Sequence, residues 1–93
     1  MSTPKEQRAP FIGLCNKIRD EVGRMGTHVL ATKHGTSFTD ASTTEGADSG
    51  EMVANLMLAY RHLEDARMRL GKAIQASEGG VSVFDKPAVQ AAL

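Results

Sequence analysis

The side chains that could do chemistry are few. His28, His34 and His62 share no metal-ligand spacing, and His62 with Asp65 is an i,i+3 pair of the kind helix surfaces carry. Cys15, the one cysteine, falls on an apolar stripe and reads as a small buried hydrophobe. No His-Glu-x-x-His, Cys-x-x-Cys, Walker loop or Gly-x-Gly-x-x-Gly is present, and no base–nucleophile pair is evident. The sequence therefore calls for no catalytic residue, metal or cofactor. Arg67 is the anomaly. Every other member of its helical stripe is apolar, and arginine is rarely buried without a partner. One reading lets it snorkel to solvent or pairs it with a carboxylate of another chain, such as Asp20 or Glu21. The other turns its planar fork toward a phosphate enclosed between helices.

Other residues favour the second reading. Arg67, Arg69 and Lys72 lie within six residues, and Arg8, Lys17, Arg19 and Arg24 are spread along the first helix. Phe11 offers a flat face on which a base can stack, although it also fits a helix seam. Gly26 would let a ligand approach a helix backbone, with Thr27 and His28 beside it as hydrogen-bonding groups; the three also read as a weak helical turn.

These residues need elements to position them, and the apolar spacing supplies helices. Phe11, Cys15, Ile18, Val22, Met25 and Val29 recur at 4, 3, 4, 3, 4 and predict a helix over 10–34, with Pro10 in its first turn and Gly35 after its end. Residues 1–9 read as a polar arm. The Ser/Thr/Gly-rich stretch 35–48 reads as a loop anchored by Phe38, its acids being Asp40, Glu45 and Asp48. Asp48 and Glu51 predict a capping box opening a helix over 49–76. Its seam is Val53, Leu56, Tyr60, Leu63, Arg67, Leu70 and Ile74, flanked by Met52, Ala59, Ala66 and Ala73 every seven residues. Arg61–Asp65 and Asp65–Arg69 are spaced as surface ion pairs. Gly79-Gly80 ends the helix, and the tail 77–93 carries Val81, Val83 and Phe84 with a final helical turn after Pro87.

Two helices of roughly 37–42 Å, at about 1.5 Å per residue, with one connection make an all-α antiparallel hairpin, a single domain over 1–93. The start of the first helix then lies near the end of the second, bringing Arg8 and Phe11 toward Arg69 and Lys72. Two adjacent apolar stripes are more than one partner helix covers, which predicts a homo-oligomer. Composition agrees. Ninety-three residues with 4% aromatics and 41% hydrophobics make a small core. Eleven acids against eleven bases exclude a DNA binder driven by overall charge. No apolar run approaches the ~18 residues of a membrane span, the start lacks a signal-peptide core, and a lone cysteine suits a reducing cytoplasm.

The second helix also resembles a known family. Leu58-Ala59-Tyr60-Arg61-His62-Leu63-Glu64-Asp65-Ala66-Arg67-Met68, then Lys72-Ala73-Ile74, is similar to the pattern Leu-Ala-Leu-x-x-Leu-Glu-Glu-Ala-x-Met followed by Ala-Ile. That pattern belongs to the hairpin domain of phage anti-CBASS and anti-Thoeris sponge proteins. Arg8 before Pro10-Phe11, and Ile18-Arg19-Asp20-Glu21, resemble the family's opening. The resemblance implies a homohexamer in the host bacterial cytoplasm. Without cleaving them, it would sequester cyclic nucleotide messengers, either cyclic dinucleotides such as 3′,3′-cGAMP or cyclic trinucleotides. It implies Phe11 as the base-stacking residue and Arg67 with the basic end of the second helix as phosphate contacts. The long stretch 35–48 and the tail have no counterpart in the family, and Gly26 stands near where the family carries a lysine. The alternative expectation is a non-catalytic hairpin adaptor of a phage.

Overall fold

A computed structural model describes residues 3–79. The described residues form three helices: α1 (Pro4–Gly35), α2 (Ala41–Thr44) and α3 (Ser49–Ser77). The described residues are all-helical, with the two long helices forming a hairpin. The predicted tail beyond Gly79 lies outside them.

The first helix begins six residues earlier than the periodicity suggests, so most of the expected arm is helical. The cause is a start signal ahead of the apolar stripe. Thr3 Oγ1 accepts from the Glu6 amide at 3.1 Å, and the Glu6 carboxylate accepts from the Thr3 amide at 3.4 Å, a complete capping box. Pro4 occupies the first helical position, where no amide is needed. Pro10 therefore lies inside the helix, where it forgoes the bond its amide would give to the Glu6 carbonyl. At the other end, Gly35 belongs to the helix, and extended Thr36 stops it. The Thr36 amide donates to the Lys33 carbonyl and its hydroxyl to the Thr32 carbonyl at 2.7 Å.

The connection contains one element that the sequence did not announce. Asp40 caps the single turn of α2, accepting from the Ser42 amide at 2.9 Å and the Ser42 hydroxyl at 2.8 Å. Those bonds favour the charged carboxylate and hold its pKa below the ordinary 3.8. Gly46 then turns the chain at φ +77°, a conformation that suits glycine.

Asp48 caps α3 as predicted, accepting from the Glu51 amide at 3.0 Å. The second half of the expected box is replaced: the Glu51 carboxylate accepts from Asn55 Nδ2 at 3.0 Å. Gly79, at φ +97°, follows the last turn and donates its amide to the Ala76 carbonyl.

The long helices run antiparallel. Thr32 neighbours Met52 and Leu56, Gly26 lies under Tyr60, Gly23 under Arg67, and Arg19 over Gly71. The α3 seam is as predicted at Val53, Leu56, Tyr60, Leu63, Leu70 and Ile74, all half-buried. The α1 seam needs correction. Its inward positions are Ile12, Cys15, Arg19, Val22, Gly26, Val29 and Lys33, spaced 3, 4, 3, 4, 3, 4. Cys15, Val22 and Val29 are shared with the expected stripe, but Phe11, Ile18 and Met25 stand 43–52% exposed. Counting large apolar side chains selects the wrong half of the heptad here. The contact is made by a glycine that admits the Tyr60 ring and by an arginine laid across a second glycine. Among the described residues the only buried hydrophobic side chain is Cys15, and no large side chain is fully buried.

Candidate functional site

The antiparallel pairing creates hollows at three levels of the hairpin. At the open end, Arg8 and Phe11 of α1 face Ala73, Ala76 and Ser77 of α3 across a shallow hollow of about 560 Å³. The small α3 side chains leave its floor free. One wall carries a guanidinium and a ring that is 45% exposed, so both a phosphate and the face of a base could be met there. The expected approach of Arg8 and Phe11 to the end of α3 is thus present, one turn beyond the predicted Arg69 and Lys72.

Those two residues line no part of this hollow. Lys72 is exposed, and the exposed Arg69 sits 3.7 Å from Asp65 as an i,i+4 pair. Asp65 pairs with Arg69 rather than with Arg61. Such pairs at the surface contribute about 0.2–1 kcal/mol.

Midway along the hairpin lies the level of Arg67. A narrow cleft of about 80 Å³ is formed by Val22, Gly23, Gly26, Tyr60, Leu63, Glu64 and Arg67. A second, open hollow of about 310 Å³ is bounded by Arg19, Glu64, Arg67 and Met68. The Arg67 guanidinium lies over Gly23, its Cζ 3.7 Å from where a Cβ would stand. Within one protomer neither Asp20 nor Glu21 pairs with it; among the described residues the one ion pair is Arg69–Asp65.

The Gly26-Thr27-His28 group is divided. Gly26 is buried against Tyr60, whereas Thr27 and His28 are exposed and line neither level. The Thr27 hydroxyl is already engaged, donating to the Gly23 carbonyl at 3.2 Å. Sequence reasoning omitted Arg19, Gly23 and Tyr60 from the site. For Arg19 the signal was the heptad phase 12, 19, 26, 33, which holds Ile12, Arg19, Gly26 and Lys33 and so scores poorly as an apolar stripe; Tyr60 stood in the predicted α3 seam, and Gly23 carried no signal of its own.

At the closed end, Phe38 and Leu56 with Thr32, Thr36, Met52 and Asn55 form an apolar hollow of about 360 Å³. Phe38 is the anchor expected of this segment. Among the described residues no three His, Cys, Asp or Glu side chains converge as a metal site, and no helix is long and apolar enough to cross a membrane.

Compared with protein-family models, with curated proteins and with solved structures, the chain matches none.

Proposed function

We propose that this protein binds cyclic oligonucleotide messengers and withholds them from their effectors, as a non-catalytic sponge built from helical hairpins. The observation that carries this reading is the hollow at the open end, where Arg8 and Phe11 stand over a floor of Ala73, Ala76 and Ser77. A guanidinium for a phosphate and an exposed ring for a base are the two contacts a nucleotide requires. Arg67, seated across Gly23 without a carboxylate partner among the described residues, adds a second cation for phosphate. The likeness of residues 58–74 to the anti-CBASS hairpin pattern supports the same ligand class.

A sponge works by affinity and amount. Nanomolar capture needs about −12 kcal/mol. Charge-assisted contacts and stacked bases in a pocket fixed by neighbouring protomers are of the right strength, because a preformed site spends little on ordering. In this reading the hairpins assemble as a homo-oligomer, the hexamer of the resemblance, in the host bacterial cytoplasm.

Isothermal titration of the purified protein with 3′,3′-cGAMP and with cyclic trinucleotides tests the proposal. Saturable binding with recovery of intact ligand after heat denaturation is expected. Absence of binding to every cyclic nucleotide removes it.

A second reading is a hairpin adaptor. It is favoured by the apolar row Phe11, Leu14, Ile18 and Met25, each 43–62% exposed on α1. The two differ in thermal stability. A messenger far above its Kd raises the unfolding temperature of a sponge and leaves an adaptor unchanged.

A further inference from the structure

Two guanidinium groups border the 310 Å³ hollow at mid-hairpin, and neither has a counter-ion among the described residues. Arg19 comes from α1 and Arg67 from α3, and each lies across a glycine of the opposite helix. Arg19 Nε is 3.8 Å from where a Cβ of Gly71 would stand; Arg67 Cζ is 3.7 Å from that of Gly23. A Cβ at either place would meet the guanidinium in ordinary van der Waals contact, so each arginine packs closely on the glycine without being excluded by a small side chain. Arg67 is open to solvent, but Arg19 is half-buried, and its Nε is sealed from water with no hydrogen-bond partner among the described residues. The single bond of its guanidinium, Nη1 to Asn16 Oδ1, is 3.5 Å long, at the limit of the interaction. Buried charged donors are ordinarily paired. The one acid on the hollow, Glu64, forms no ion pair with either arginine.

We propose that Arg19 and Arg67 together form an anion site for a phosphate group, with Arg19 as a recognition residue. This inference rests on the sponge reading for the claim that the phosphate is part of a cyclic nucleotide, and it extends that reading by adding Arg19 to the phosphate contacts. Arginine keeps its charge at all accessible pH and presents a fork that fits two phosphate oxygens. Packing across Gly71 fixes the plane of that fork before a ligand arrives, so little rotamer freedom remains to be lost on binding. Glu64 opposes an anion at the same place and sets the affinity below what two free arginines would give.

The test uses inorganic pyrophosphate as probe, against sodium chloride at matched ionic strength, with thermal unfolding of the full chain as readout. Pyrophosphate is expected to raise the unfolding temperature of the wild type. Arg19→Met keeps the apolar stem but removes the unpartnered charge. It is expected to unfold no lower than wild type in chloride while its apparent Kd for pyrophosphate rises about tenfold or more. Glu64→Gln, at an exposed position, is expected to enlarge the pyrophosphate response. A wild type that ignores pyrophosphate, or an Arg19→Met that responds in full, overturns the inference. Should Arg19→Met fail to fold, Glu64→Gln decides, and an unchanged response overturns the site. Titration with 3′,3′-cGAMP and cyclic trinucleotides separates the two proposals. An Arg19-dependent pyrophosphate response without nucleotide binding keeps the anion site and removes the sponge. Nucleotide binding of equal affinity in wild type and Arg19→Met keeps the sponge and removes Arg19 from it.

Discussion

Tyr60 packs on Gly26, with Cε2 3.4 Å from where a Cβ of that glycine would stand. The pair sets how closely α1 and α3 approach in the middle of the hairpin. It also explains why a glycine is kept inside a long helix at a cost of about 1 kcal/mol relative to alanine. The same contact forms one wall of the cleft that Arg67 borders.

Substitutions at Gly26 should therefore split by size. An alanine Cβ meets the ring at the near end of van der Waals contact, and the helix gains propensity. Gly26→Ala is expected to stabilise by up to about 1 kcal/mol. Gly26→Leu must displace the Tyr60 ring or part the helices and is expected to cost about 1–3 kcal/mol. Urea unfolding of both variants measures the difference, and a stable Gly26→Leu would show that the pair does not set the spacing.

Gly13 gives the control. It lies within α1 with nothing within 4 Å of where its Cβ would stand. Gly13→Ala is expected to raise stability by about 0.8–1 kcal/mol through helix propensity alone. Thermal unfolding checks it. A loss instead would mean that another chain approaches the backbone at this point.

The hairpin was legible because helix spacing and caps are local. Asp48 before Glu51, the α3 seam and Gly79 at the end of α3 follow from residues within one or two turns of each other. The α1 seam was not, because its inward side is defined by what fits the other helix. Arg19 faces Gly71 and Gly26 faces Tyr60, two matches across the hairpin that no count of apolar residues on α1 contains. The start of α1 was missed for a different reason. Thr3, Pro4 and Glu6 are a complete helix start, but they precede the apolar repeat that marks the helix in the sequence. Of the residues expected to meet a ligand, Arg8 and Phe11 line the hollow at the open end and Arg67 with Gly26 the cleft at mid-hairpin. Thr27 and His28 were grouped with Gly26 by adjacency in sequence, whereas adjacent residues on a helix point about 100° apart.

The Thr3 cap should show in α1. Thr3→Ala removes the acceptor for the Glu6 amide and one member of the reciprocal pair. A loss of about 0.5–2 kcal/mol is expected. Amide hydrogen exchange should speed up over the first turns of α1 and leave α3 unchanged. Uniform destabilisation of both helices would indicate that the cap is not the cause.

The α2 turn should respond to pH. The bonds from Ser42 hold the folded Asp40 pKa below its ordinary 3.8. A depressed folded pKa contributes order that is complete above the unfolded value and is lost as pH falls through the folded one. The turn is therefore expected to be intact at neutral pH and to open below pH 3.8. Asp40→Asn, which keeps an acceptor oxygen, should remove most of that pH dependence. The amide shifts of Ser42 and Thr44 followed by NMR through an acid titration report it. A turn that opens at the same pH in both proteins would assign the transition to another group.

Arg67 and Arg69 provide the sharpest comparison of ligand contact with surface charge, since they share chemistry and helix and differ in what they face. Arg69 is exposed and balanced by Asp65 at 3.7 Å. Its removal costs one weak surface pair and should change cyclic nucleotide affinity by less than about twofold. Arg67 borders both mid-hairpin hollows and has no carboxylate partner among the described residues. If it meets a phosphate, Arg67→Ala removes a charge-assisted hydrogen bond of about 1.5–3 kcal/mol, equivalent to a Kd raised about 10- to 100-fold. Arg67→Lys keeps the charge but not the fork, so it should restore part of the loss. A purely electrostatic effect of the basic helix would instead weaken binding equally in the two alanine variants. A structural Arg67, paired with an acid of a neighbouring chain, would leave nucleotide affinity unchanged while Arg67→Ala altered the oligomer. Isothermal titration of each variant, with sedimentation at the same concentration, distinguishes the three.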